Sequence, residues 1–126
     1  MNKSIKIAAI LGALAVGIGA FGAHGLTKFL TETGRLDTFE TAVKYHFYHT
    51  LALLLVGLLQ QNNTSKWLNY SSNLFLGGVL IFSGSLYILC LSRITIFGAI
   101  TPIGGLMLIA GWVSLFMAAI KKPDQN

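Results

Sequence analysis

The chain has 126 residues, of which 54% are hydrophobic and 10% are charged, and its mean hydropathy is +0.69. A soluble domain carries about 25% charged residues, so this composition excludes an ordinary soluble fold and indicates a single integral membrane domain over residues 1–126. The net charge of +5 is spread over basic residues that stand singly or in pairs beside apolar runs. That distribution is typical of anchors at lipid headgroups, whereas a nucleic-acid binder would gather its basic residues in one patch.

The first apolar run, residues 7–23, predicts a membrane-spanning helix with a stripe of small residues. Gly12, Ala15, Gly19 and Ala23 recur every three or four positions and therefore share one helix face. Small residues on one face let helix backbones approach closely in lipid. We therefore expect the first span to be the helix that the others pack against. The alternative for the same glycines is a flexible or substrate-lining helix.

Residues 24–44 connect the first two predicted spans. Leu26, Phe29 and Leu30 have the spacing to line the apolar side of a short helix at the membrane surface. Gly34 is placed to end that helix.

The second long helix is predicted over residues 38–59, because apolar positions recur with the helical period. Asp37 and Glu40 have the spacing of a capping box at its start. The purely apolar part, residues 50–59, is much shorter than the ~20 residues that a span needs. The polar residues before it must therefore enter the membrane, which places His49 just inside the hydrocarbon edge.

The third span is predicted over residues 74–91, with Ser72 or Asn73 as its N-cap. Trp67 and Tyr70 precede it, and such aromatic residues mark a membrane interface.

The fourth span is predicted over residues 103–120. Thr101 and Pro102 suit the cap and first turn of a helix, and the apolar residues 94–100 before them are too few to span. Gly104 and Gly111 repeat at an interval of seven, which predicts a packing stripe for a left-handed helix pair.

Four spans place both termini on one side of the membrane. The basic residues divide almost evenly between the two sides, so the positive-inside rule decides little. We place the termini in the cytoplasm because basic residues precede the first span. The five on that side are Lys3, Lys6, Lys66, Lys121 and Lys122.

The three histidines form the one concentration of reactive side chains. His24 ends the first span, and His46 and His49 lie three residues apart near the start of the second. Hairpin topology brings these helix ends to one membrane surface, with Arg93 and Thr101 from the next connection. We therefore expect one polar cluster, with Glu40 as its carboxylate: His24, His46, His49, Glu40, Arg93 and Thr101.

Two interpretations of this cluster remain open. Neutral imidazole ligates Zn, Cu or Fe, so the histidines are candidates for a metal or haem site. Alternatively, they hydrogen-bond loop carbonyls and fix the helix ends. We favour the structural interpretation and expect no cofactor, because no carboxylate or cysteine stands at convincing ligand spacing.

Four blocks of sequence, in order, resemble the YgdD/YwdK-like family of small membrane proteins. The resemblance covers essentially the whole chain and is carried by residues 19–26, 41–54, 83–87 and 101–105, with Gly111-Trp112. It implies an all-α membrane protein with four transmembrane helices, located in the inner membrane in bacteria. It implies no activity.

Neither ionisable groups nor motifs in the sequence indicate catalysis. No Asp or Glu lies within the predicted membrane-embedded segments, which disfavours an ion-coupled carrier acting alone, and nucleotide-binding and hydrolase motifs are absent. We favour a non-enzymatic module that packs with itself or with a larger membrane complex. A small oligomeric carrier, channel or lipid-handling protein is the alternative, weakened because nothing polar lines a path across the membrane.

Overall fold

The computed structural model describes residues 2–121, which fold as helices joined by short connections. Within this range there are five helices and no strand: α1 Lys3–His24, α2 Thr27–Glu32, α3 Leu36–Gln60, α4 Lys66–Ser92 and α5 Ile96–Ile120. Four of them, all but α2, are long and apolar enough to cross a membrane. This confirms the predicted number of spans. Lys122, one of the five basic residues predicted on the cytoplasmic side, lies outside the described residues.

The short helix α2 stands where the sequence placed it, and Gly34 ends it as predicted. Gly34 has a φ of +71°, a left-handed conformation that glycine adopts without strain. The amide of Gly34 donates to the carbonyl of Thr31 at 3.2 Å, and the amide of Arg35 donates to that of Leu30 at 2.8 Å. These two bonds form a Schellman motif, which satisfies the last carbonyl groups of the helix.

The long helices pack in chain order, α1 against α3, α3 against α4 and α4 against α5. In α3 and α4, 44% of the most apolar 18-residue stretch is buried inside the bundle, compared with 22% in α1 and 28% in α5. The prediction that the first span is the one the others pack against is therefore wrong. Its small residues permit close packing, but α1 packs mainly along α3 and leaves its other faces exposed.

The start of α4 lies earlier than predicted. The helix begins at Lys66, and the hydroxyl of Ser65 accepts from the amide of Trp67 at 3.2 Å as the cap. The two predicted caps, Ser72 and Asn73, both lie inside the helix, where Ser72 donates to the carbonyl of Asn69. Hydropathy marks the membrane-embedded part of a helix, and here the helix extends beyond that part.

The predicted starts of the other two helices also need correction. α5 begins at Ile96 and carries Pro102 in its interior, so Thr101 is not a cap. A proline inside a membrane helix is tolerated where neighbouring helices and hydroxyl groups compensate for the lost hydrogen bond. α3 begins at Leu36, so Asp37 lies in its first turn rather than at the cap of a capping box.

Glycines set the distance between α4 and α5. A Cβ atom added to Gly104 would lie 2.7 Å from the backbone Cα of Phe82, and one added to Gly111 would lie 2.7 Å from Cε1 of Phe75. Side chains at these two positions would force the helices apart. The contact of Gly104 is with backbone, which cannot rotate away.

The small residues of α1 make looser contacts. A Cβ atom on Gly12 would lie 3.6 Å from Cγ2 of Thr50, an ordinary van der Waals distance, and one on Gly19 would lie 3.3 Å from Val43. Ala15 is 1% exposed, whereas Ala23 is exposed. The α1 stripe therefore faces α3 along only part of its length.

Candidate functional site

The buried polar centre of the bundle is formed by His46 and His49, one turn apart on α3 and 4% and 7% exposed. His49 lies thirteen residues after Leu36 and eleven before Gln60, which is about 20 Å and about 17 Å along the helix. The prediction that it lies near the membrane surface where the ends of these helices meet is therefore wrong. The face of α3 that carries both imidazoles turns into the protein, where each finds hydrogen-bond partners.

His46 connects three helices. Its Nε2 atom lies 2.9 Å from the carbonyl oxygen of Leu11 in α1, and its Nδ1 atom lies 2.8 Å from the hydroxyl of Tyr87 in α4. A carbonyl only accepts, so Nε2 carries the proton. In the neutral imidazole Nδ1 then accepts from the tyrosine hydroxyl.

His49 is held in the opposite tautomer. Its Nδ1 atom lies 2.9 Å from the carbonyl oxygen of Tyr45, to which it donates, and its Nε2 atom accepts from Nε1 of Trp112 at 3.0 Å. Because an indole N–H is only a donor, Nε2 of His49 is unprotonated and the ring is neutral. This bond connects α3 to α5. The imidazole also stacks on the ring of Tyr45, with the ring centroids 6.0 Å apart.

Buried hydroxyl groups elsewhere in the bundle serve the same purpose. Each donates to a main-chain carbonyl at 2.7–2.9 Å, Thr50 to His46, Ser71 to Gly111 and Ser83 to Ala42. Two of the three bonds join different helices. A polar group buried in hydrocarbon is costly unless it is paired, and these hydroxyls are paired to backbone.

The six-residue cluster expected from the sequence is divided in the structure. His24, Glu40 and Arg93 are exposed, and no hydrogen bond or ion pair joins them within residues 2–121. Thr101 instead shares a 2.7 Å hydrogen bond with Ser85. The helix ends do meet at one surface, but their charged side chains point outward.

The arrangement leaves little capacity for a metal. The part of the chain that the structure describes contains no group of three His, Cys, Asp or Glu side chains placed to hold one. All four ring nitrogens of His46 and His49 already have protein partners. Ligation by either histidine would break one of these bonds.

Sequence reasoning missed the partners of both histidines. Tyr87 and Trp112 are separated from them by 41 and 63 residues. The sequence did indicate that Tyr87 and Trp112 need partners, because a phenol hydroxyl or an indole N–H inside an apolar run requires a hydrogen bond. Both residues also stand in the sequence blocks that carry the family resemblance.

Comparisons with known proteins agree with this resemblance. The family described as "Protein of unknown function (DUF423)" matches residues 18–105. A UPF0382 membrane protein of Staphylococcus haemolyticus is 48% identical over 121 residues, covering 93% of this chain and 98% of that protein. The UPF0382 membrane protein YwdK of Bacillus subtilis is 42% identical over 128 residues, with 96% and 98% covered.

The UPF0382 inner membrane protein YgdD of Escherichia coli is 39% identical over 114 residues, covering 90% of this chain and 86% of that protein. No solved structure matches this one. With four apolar helices and relatives named as membrane proteins, the protein is a multi-pass protein of the cell membrane. The chain therefore belongs to the UPF0382 (DUF423) family.

Proposed function

We propose that the protein is a non-enzymatic membrane module that associates with a second copy of itself through the outward face of α1. One observation carries this proposal: that face is built from small residues. Ala9, Ala13, Gly17 and Ala20 are all exposed. A Cβ atom added to Gly17 would meet nothing within 4 Å, so the described chain leaves open space at this glycine.

The outward side of α5 differs from the small-residue face of α1, although α1 also exposes large apolar residues such as Ile10 and Val16. The outward side of α5 carries large apolar residues that are 54–67% exposed, among them Ile103, Leu106, Ile109, Val113 and Phe116. Lipid chains pack equally well on large side chains, whereas close approach of two helices requires small ones. The composition of the α1 face is therefore better suited to another helix than to lipid.

The buried polar groups support a non-enzymatic role. All ring nitrogens of His46 and His49 have protein partners, and three of the four hydrogen bonds join α3 to another helix. The thiol of Cys90 is buried, 3.7 Å from the carbonyl of Arg35. In the described residues none of these groups faces a cavity as a free base or nucleophile. The core that α1, α3, α4 and α5 share contains a cluster of apolar side chains, which offers no polar route for a carried solute.

Disulfide crosslinking in native membranes tests the proposal. In a Cys90→Ser background, Gly17→Cys should give a covalent dimer on mild oxidation, because two copies of this face would meet closely. Ile109→Cys, exposed on α5, is the matched control and should stay monomeric. Equal crosslinking at the two positions, or none at Gly17→Cys, would overturn the proposal. If Gly17→Cys crosslinks to a different protein, the partner of this face is another membrane protein and not a second copy of the chain.

A second variant separates folding from association. Gly17→Leu adds a side chain where the single chain has open space, so the monomer should remain folded while its dimer is lost on gel filtration in mild detergent. A Gly17→Leu protein that remains dimeric would contradict the assignment of the interface to α1.

A further inference from the structure

A cavity of about 490 Å³ lies between α1, α3 and α4, at the end of the bundle where both described chain ends lie. Its lining changes from polar to apolar with depth. The start of α1, the end of α3 and the first two turns of α4 contribute the polar residues, and side chains one to two turns further along each helix contribute the apolar ones. The polar residues are Asn2, Lys3, Ser4, Gln60, Asn69, Ser72 and Asn73, and the apolar ones are Ile7, Leu53 and Leu76.

Gln60 organises the polar part of this cavity. Its Oε1 atom accepts from the hydroxyl of Ser4 at 2.6 Å, and its Nε2 atom donates to Oδ1 of Asn69 at 3.0 Å and to the hydroxyl of Ser72 at 3.2 Å. Asn2 is engaged as well, since its Oδ1 atom accepts from the amide of Ile5 at 3.1 Å. The side-chain carbonyl oxygens of these residues are therefore occupied by protein donors.

The groups left over are mostly donors. The ammonium group of Lys3 and the amide of Asn73 have no protein partner within residues 2–121, and Asn69 bonds through its oxygen, which leaves its NH₂ group available. A pocket with donors and a positive charge favours an anion with several acceptor oxygens. A phosphate group fits this description.

The charge at this end of the bundle supports an anionic ligand. Lys3, Lys6 and Lys121 lie here, whereas the described carboxylates belong to the opposite half of the bundle, in α2 and the first turns of α3. No carboxylate among residues 2–121 lines the cavity. The lysines therefore attract an anion to the cavity, and no carboxylate in its lining repels it.

The apolar depth of the cavity favours a lipid over a soluble phosphate. Ile7 lies about one turn beyond Lys3, Leu53 about two turns before Gln60, and Leu76 about one turn beyond Asn73. Donors at the helix ends and apolar side chains below them match the order of headgroup and acyl chain in a phospholipid. A free phosphate would use only the upper half.

We propose that this cavity binds the headgroup of an anionic phospholipid, with its phosphate held by Lys3, Asn69 and Asn73. The acyl chain passes along Ile7 and Leu76. In α1 the cavity is lined by Lys3, Ser4 and Ile7 and by none of the four small residues of the proposed dimer face, so it does not depend on self-association.

Native mass spectrometry of the full chain, released from detergent with equal amounts of phosphatidylglycerol and phosphatidylcholine, tests the site. The wild type should retain phosphatidylglycerol preferentially. Lys3→Gln should reduce that retention about fivefold, the effect of one near-surface charge on an anionic lipid. Lys6→Gln is the matched control, since Lys6 lies on the same helix end but does not line the cavity.

An uncharged variant and a soluble competitor complete the design. Asn73→Leu removes a donor without changing the charge, and it should also lower retention of phosphatidylglycerol. Both variants alter exposed side chains and should elute from gel filtration as the wild type does. Equal losses in Lys3→Gln and Lys6→Gln, or no effect of Asn73→Leu, would overturn the site. Displacement of the lipid by millimolar inorganic phosphate would overturn its assignment to a lipid.

Discussion

The indole Nε1 of Trp112 donates a 3.0 Å hydrogen bond to Nε2 of His49, joining α5 to α3 across 63 residues of chain. The imidazole can accept this bond only while it is neutral. The same ring donates to the carbonyl of Tyr45 in the preceding turn. His49 is therefore a buried, neutral residue with a hydrogen bond at each ring nitrogen, and its bond to Trp112 stabilises the packing of α3 and α5.

Trp112→Phe should lower the free energy of unfolding by about 1 kcal/mol, because it leaves the imidazole acceptor of His49 unpaired. Unfolding in detergent, followed by circular dichroism, measures the change. Trp67→Phe is the control, since the buried indole N–H of Trp67 has no hydrogen-bond partner within residues 2–121, and its removal should cost no hydrogen bond. Equal destabilisation by the two substitutions would contradict the importance of the Trp112 bond.

The two buried histidines should show opposite tautomers at neutral pH. ¹⁵N NMR of labelled protein in bilayers should find the proton on Nε2 of His46 and on Nδ1 of His49, as their carbonyl partners require. Trp112→Phe should shift the resonances of His49 and leave those of His46 nearly unchanged. A charged imidazole at either position would contradict the hydrogen-bond assignment.

Gly104→Ala should destabilise the bundle by about 2 kcal/mol, because its new Cβ atom would collide with the backbone of Phe82. The same measurement of unfolding in detergent applies. Gly84→Ala on α4 is the matched control, since a Cβ atom there meets nothing within 4 Å and alanine favours the helix. If both substitutions have the same effect, α4 and α5 are farther apart than described.

Gly34→Ala should destabilise the protein by about 1 kcal/mol, because φ at this position is +71° and a Cβ atom is strained in the left-handed region. Gly34→Asn should lie closer to the wild type, since asparagine tolerates that conformation. Thermal unfolding of the three proteins gives the comparison. Equal stability of the alanine variant and the wild type would show that the connection between α2 and α3 can adopt another turn.

Reporter fusions test the arrangement of the four spans. Fusions at Asn63 and at the C-terminus should report the same side of the membrane, and a fusion at Thr33 the opposite side. These positions follow α3, α5 and α1, respectively. Matching signals from Asn63 and Thr33 would mean that α3 does not cross the membrane.

The sequence alone was sufficient for the features that depend on neighbouring residues. Four apolar runs predicted four membrane-spanning helices, since the length and hydropathy needed to cross a bilayer are local properties. Gly34 predicted the end of α2 for the same reason, because the turn needs a residue that tolerates positive φ. The starts of α4 and α5 were misplaced, since hydropathy reports the bilayer and not where a helix begins.

Only the tertiary structure decided which helices are central and what the histidines do. Of the small residues of α1, Ala15 is buried and Gly12 and Gly19 approach α3, whereas Ala9, Ala13, Gly17 and Ala20 are exposed. Which of them make contact depends on how α1 is rotated against α3. His46 and His49 find their partners on other helices 35 to 63 residues away. The register of antiparallel helices brings Leu11, Tyr87 and Trp112 to them, and no local pattern encodes that register.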